Sequence, residues 1–108
     1  MAKFLIQLTY SDSALAELVE HPEDRGAAIS EWFARLGGEI EVFYYCFGDY
    51  DTVVIAEFPN NETMGAIAFA VRSTGVAKDA KITILLSKDE SVSALRRASG
   101  ADYHPPGG

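Results

Sequence analysis

Phe43-Tyr44-Tyr45-Cys46-Phe47-Gly48-Asp49-Tyr50-Asp51-Thr52-Val53-Val54-Ile55-Ala56-Glu57-Phe58 decides the fold. Residues 39–47 and 50–58 are both dense in aromatic and β-branched side chains, which suit a pleated, half-buried surface. Gly48 and Asp49 lie between them, the composition of a hairpin turn. The first of these strands places Ile40, Val42, Tyr44 and Cys46 on one face by simple alternation. Its other face runs Glu39, Glu41, Phe43, Tyr45 and Phe47. The charged start and aromatic end of that face predict a strand buried on both sides at its far end.

Working outward from this pair, residues 3–10 read as a strand before it and residues 81–86 as a strand after it. Two helical stretches separate them. Residues 11–36 carry a helical pattern broken at Pro22, which disfavours helical backbone at His21 and suits the first turn of a new helix. Ala28, Ile29, Trp32, Phe33 and Leu36 then repeat at helical spacing. Gly37-Gly38 supply the stop. The second stretch follows Pro59, with Asn60 or Asn61 as cap, a stripe of Met64, Ile67, Ala68 and Val71, and Gly75 at its end. The order β-α-β-β-α-β predicts an α+β, ferredoxin-like sandwich: a four-stranded antiparallel sheet with both helices on one face. Residues 87–97 read as a further short helix. The domain is expected over residues 1–98, with 99–108 as a flexible tail.

The chain has 108 residues, with Lys+Arg 9, Asp+Glu 16 and a net charge of −7. The acidic balance excludes a phosphate-backbone partner from the expectations, so no nucleic acid is expected. A single cysteine cannot form a disulfide within the chain. No apolar run approaches the ~18 residues of a membrane span, so no membrane partner is expected. Met1-Ala2-Lys3-Phe4 lacks the features of a secretion signal, and the expected location is cytoplasmic. Helices on one face leave the other face of the sheet open. Aromatics on both faces of the second strand and the Val53-Val54-Ile55 run make that open face apolar. An apolar patch of this kind marks an interface, and two such sheets stacked face to face give a homodimer.

The central stretch resembles the signature of the GYD domain family, named for Gly-x-Tyr-Asp, here Gly48, Tyr50 and Asp51. The aromatic pair before the glycine and the β-branched run after it belong to the resemblance, as does the helix ending in Leu36-Gly37-Gly38. The stretch from Gly75 to Thr83 matches more loosely. The resemblance covers roughly residues 3 to 90. It implies the dimeric α+β barrel superfamily, in which two ferredoxin-like protomers pack sheet to sheet. That superfamily includes cofactor-free monooxygenases, haem-degrading enzymes, dehydratases, lactone isomerases and small-ligand-binding proteins, and the fold does not choose among them.

Candidate chemistry is sparse. Tyr50 and Asp51 suit an acid–base or hydrogen-bonding pair at a pocket mouth. They equally suit turn chemistry, with Gly48 in positive φ and Asp51 bonding backbone amides. His21 is a general-base candidate because imidazole titrates near neutrality; it also suits an exposed position at a helix end. Cys46 has no basic neighbour to generate a thiolate and is expected to be a small buried hydrophobe. Tyr10, Trp32, Phe33, Tyr44, Tyr45 and Phe69 are candidates to line an apolar cavity, with Gln7 or Arg72 as polar anchors. Neither a metal nor an organic cofactor is expected, since no Cys-x-x-Cys, His-x-x-x-His, calcium loop or phosphate-cradling loop occurs. The sequence thus leaves open an enzyme using cofactor-free acid–base chemistry on a small, largely apolar organic molecule, a protein that only binds one, and an oligomeric assembly module.

Overall fold

The computed structural model describes residues 1–107. Its elements are β1 (Ala2–Tyr10), α1 (Asp12–Glu20), α2 (Arg25–Arg35), β2 (Glu39–Tyr45), β3 (Thr52–Phe58), α3 (Asn61–Ser73), β4 (Ala77–Leu85) and α4 (Lys88–Ser99). The strands form one antiparallel sheet in the order β2-β3-β1-β4. This is the expected ferredoxin-like arrangement.

The stretch read as one interrupted helix is two. Pro22 lies in the break rather than in the first turn. Asp24 caps α2 instead, its carboxylate accepting from the Ala27 amide at 3.1 Å. Asn60 caps α3 by accepting from the Thr63 amide at 2.9 Å. The fourth helix forms as expected. Ser87 and Glu90 make a reciprocal capping box, and the Ser87 amide holds the Glu90 carboxyl below its ordinary range.

α2 and α3 cover one face of the sheet. Between them lies a core of Phe4, Phe33, Val54, Ala56, Phe58, Met64 and Ile67. Phe58 is its centre, fully buried, with the Phe33 ring 4.9 Å away and edge-on. Gly38 is needed beside it: a Cβ there would sit 2.4 Å from Phe58 Cε1. β3 shows the alternation that follows. Thr52, Val54, Ala56 and Phe58 are buried, whereas Val53, Ile55 and Glu57 face the open side and are only half-buried.

Two expectations about strands need correction. First, β2 does not alternate simply. Ile40 pairs with Ala56 and Val42 with Ile55, so Glu41 is an extra, unpaired residue. This bulge shifts the later residues by one. Ile40, Phe43 and Tyr45 therefore share the helix side, and Val42 and Tyr44 share the open side. Second, β2 ends at Tyr45 and β3 starts at Thr52, leaving a six-residue loop instead of a tight turn. The loop is laced to its own base and to β1. The Cys46 amide donates to the Asp51 carbonyl (2.8 Å), the Asp51 amide to the Leu8 carbonyl (2.8 Å), and the Thr9 hydroxyl to the Asp49 carbonyl (2.9 Å). Cys46 is exposed in this loop, contrary to expectation, with its thiol donating to the Tyr50 carbonyl at 3.1 Å.

The molecule is extended, at 57 × 33 × 23 Å. Its radius of gyration is 17.3 Å, against about 13 Å for a compact domain of this length. The accessible surface is 7656 Å², against about 5,900 Å² for a compact monomer of this mass. Tyr44 on the open face and Val92 and Leu95 on α4 are exposed, and α4 buries no residue at all.

Candidate functional site

A cavity of about 690 Å³ opens between α2, α3 and the sheet, at the end of the sheet where β1 finishes. Its walls follow from the strand alternation and helix stripes already described. Ile6, Leu8 and Tyr10 reach it from β1, Thr52 and Val54 from β3, and Ile29, Trp32 and Phe33 from α2. Ala68, Val71 and Arg72 close it from α3, and Ala80 and Ile82 from β4. The walls are mostly hydrocarbon, and the ionisable groups on them are Arg25, Arg72 and Tyr10.

Tyr10 is the most constrained of these. It is 8% exposed. Burial pushes its phenol above the ordinary tyrosine range, with Tyr45 and Asp51 acting in the same direction and the Arg25 guanidinium opposing them. Like any tyrosine hydroxyl, that of Tyr10 is protonated at neutral pH and can donate a hydrogen bond. Its backbone is held by Asp51, whose Oδ2 accepts from the Tyr10 amide at 2.9 Å. Arg25 opens α2, and its backbone is fixed from β2. The Tyr45 hydroxyl accepts from the Arg25 amide (3.1 Å) and donates to the Glu23 carbonyl (3.3 Å). The Arg25 guanidinium also pairs with Glu23 Oε1 at 3.1 Å.

The structure distributes the residues singled out from the sequence unevenly. Tyr10, Trp32, Phe33 and Arg72 line the cavity as expected. Gln7 does not: it alternates with Ile6 and Leu8, which face the cavity, and so lies on the open side of the sheet. Tyr45 does not line it either. Its ring packs edge-on against Phe43, and its hydroxyl is spent on the start of α2. Tyr44 and Phe69 are exposed, at 67% and 75%. Tyr50, Asp51 and His21 are all off the cavity wall. Asp51 serves the loop and β1, as turn chemistry would have it. His21 lies in solvent at the end of α1, 3.9 Å from both Glu17 and Glu20. These three side chains could gather round a cation, but all are exposed.

Arg25, Thr52 and Thr74 are wall residues that the sequence reading passed over. Arg25 had a legible signal. It precedes Ile29 by four residues and Trp32 by seven, so it lies on the same helical stripe. Thr52 and Thr74 carried none, because their contribution depends on where β3 and α3 begin and end.

The fold has relatives among solved structures. The chain is similar to the hypothetical protein PHS023 from Pyrococcus horikoshii, with 15% identity, a TM-score of 0.51, and coverage of 82% of this chain and 93% of that one. It also resembles FFRP-DM1, with 15% identity, a TM-score of 0.49, and coverage of 80% of this chain and 100% of that one. No curated protein matches it. Among the described residues, no helix is long and apolar enough to cross a membrane. The family model of the GYD domain matches residues 4–95, from within β1 through β4 and including the Gly48-Asp49-Tyr50-Asp51 corner. By that match the chain belongs to the GYD domain family.

Proposed function

We propose that the chain works as a cytoplasmic homodimer, its two sheets stacked on their open faces, and that each protomer binds a small, largely apolar organic molecule between its helices and its sheet. The observation that carries this reading is the cavity. Its volume falls within the usual range for small-molecule sites, and its mixture of hydrocarbon wall with a few polar groups is the usual one. The exposed Tyr44 and the half-buried Val53 and Ile55 on the open face support the dimer, because a second copy of the sheet would cover them. The sequence candidates for acid–base chemistry stand off the cavity wall. The reading therefore rests on holding a molecule, without a turnover step.

Trp32 makes the binding reading directly measurable. It is the only tryptophan in the chain and it lines the cavity. Titration with 8-bromo-1-octanol, a neutral chain bearing a heavy-atom quencher, is expected to quench Trp32 fluorescence saturably. Quenching that rises linearly without saturation would count against a cavity site.

A further inference from the structure

We infer that the molecule this cavity takes is an organic carboxylate: an apolar body with one anionic head, the head held by Arg25 and Arg72 beside the Tyr10 hydroxyl. The inference deepens the binding reading and rests on it.

The charge on the wall is the first argument. Acids outnumber bases 16 to 9 in this chain, yet among the described residues no aspartate or glutamate lines the cavity, and two arginines do. An arginine fork matches a carboxylate in a planar, two-bond geometry. Arg72 has no acidic partner within 4 Å among the described residues. Arg25 pairs only with Glu23, an exposed contact of the weak, solvent-screened kind that a guest carboxylate can replace.

Position is the second argument. Arg25 starts α2 and Arg72 lies in the last turn of α3, and both reach the one end of the sheet where Tyr10 stands. The Tyr10 phenol, buried on this wall, is a neutral hydroxyl at pH 7.5 and can donate to a carboxylate oxygen. Apart from Thr52 and Thr74, the rest of the wall, from Ile6 and Ile29 to Ile82, is hydrocarbon. Such a wall accepts an apolar body, and a dianionic phosphate head would cost more to strip of water against it than a carboxylate.

The test compares 8-bromooctanoate with 8-bromo-1-octanol, which share a chain and quencher and differ only in the head. Trp32 quenching gives Kd for each at pH 7.5 in wild type, Arg72→Gln, Arg25→Gln and the double variant. Arg72 is exposed and Arg25 half-exposed, so these variants retain the core. In wild type the carboxylate is expected to bind about tenfold more tightly than the alcohol, as for charge-assisted hydrogen bonds. In the double variant the two are expected to bind within about threefold of each other, the alcohol's Kd staying nearly unchanged. Equal binding of both heads to wild type would overturn the carboxylate assignment and leave the cavity reading standing. A carboxylate preference that survives in the double variant would overturn it too. Saturation by neither compound would remove the binding reading itself.

Discussion

The two faces of this sheet are built from the same strands and end in opposite situations. On β3, Val54, Ala56 and Phe58 are sealed under α2 and α3, while Val53 and Ile55, one residue out of phase, have no helix above them. Over β3 the helix side is closed by local means, namely two caps, a glycine approach at Gly38 and an aromatic cluster around Phe58, while toward β4 it leaves Ile82 and Ile84 exposed. The open side mixes Leu5, Val42, Tyr44, Val53 and Ile55 with Lys3, Gln7, Glu57 and Lys81, so the apolar open face expected from the sequence is only partly apolar, and it has no covering layer among the described residues. The proposed dimer would cover the apolar part of this face, Val42, Tyr44, Val53 and Ile55. The cavity belongs to the closed side, so its shape depends on packing within one protomer. On the proposed reading the open side answers to assembly.

Substitutions can break this contrast. The largest effect is expected from Phe58→Ala, which empties the centre of the closed side and should cost about 3–5 kcal/mol in urea unfolding. Ile55→Asp, the matching change on the open side, should weaken the dimer by about 3 kcal/mol, because it places an unpaired charge in the stacked interface. Its protomer should keep the Trp32 environment of the wild type, read as an unchanged emission maximum. Gly38→Ala should cost about 1–3 kcal/mol, because the added methyl collides with the Phe58 ring. Asp51→Ala should cost about 2 kcal/mol by removing the charged acceptor of the Tyr10 amide.

The smallest expected effect concerns pH. Burial raises the Tyr10 phenol above its unfolded value near 10. The folded state then binds more protons than the unfolded state once pH exceeds that value, so the contribution of Tyr10 is complete below pH ~10 and is lost as pH rises through the folded pKa. Between pH 9 and pH 11 the wild type should lose more stability in urea than Tyr10→Phe. Equal losses would place Tyr10 in an ordinary aqueous setting.

Most of the closed side was legible in the sequence. The periodic stripes at Ile29, Trp32 and Phe33 and at Met64, Ile67 and Val71 announced the helices, and dense β-branched runs announced β1 and β3. The errors sit on the edge strands. β4 begins four residues before the expected start at Lys81 because Lys78 and Asp79 are tolerated where one flank of the sheet meets water. β2 carries a bulge at Glu41, and a bulge leaves no mark in an alternating pattern. That single extra residue moved Tyr45 from its simple alternation with Ile40 onto the helix side, where it anchors α2. The site was half legible. Trp32, Phe33, Tyr10 and Arg72 were visible as aromatic or cationic residues on periodic elements. Gln7 was misplaced because its face depends on the strand's phase against the helices. Asp51 belongs to a loop whose hydrogen bonds cross to β1, and such long-range bonds cannot be read from neighbouring residues.

The most direct measurement of the central contrast is native mass spectrometry over a micromolar dilution series, with wild type beside Ile55→Asp. The account predicts a wild-type dimer and a folded monomer for the variant. A wild-type chain that is monomeric throughout, or an Ile55→Asp dimer as tight as the wild type, would contradict the assignment of the open face to a second copy.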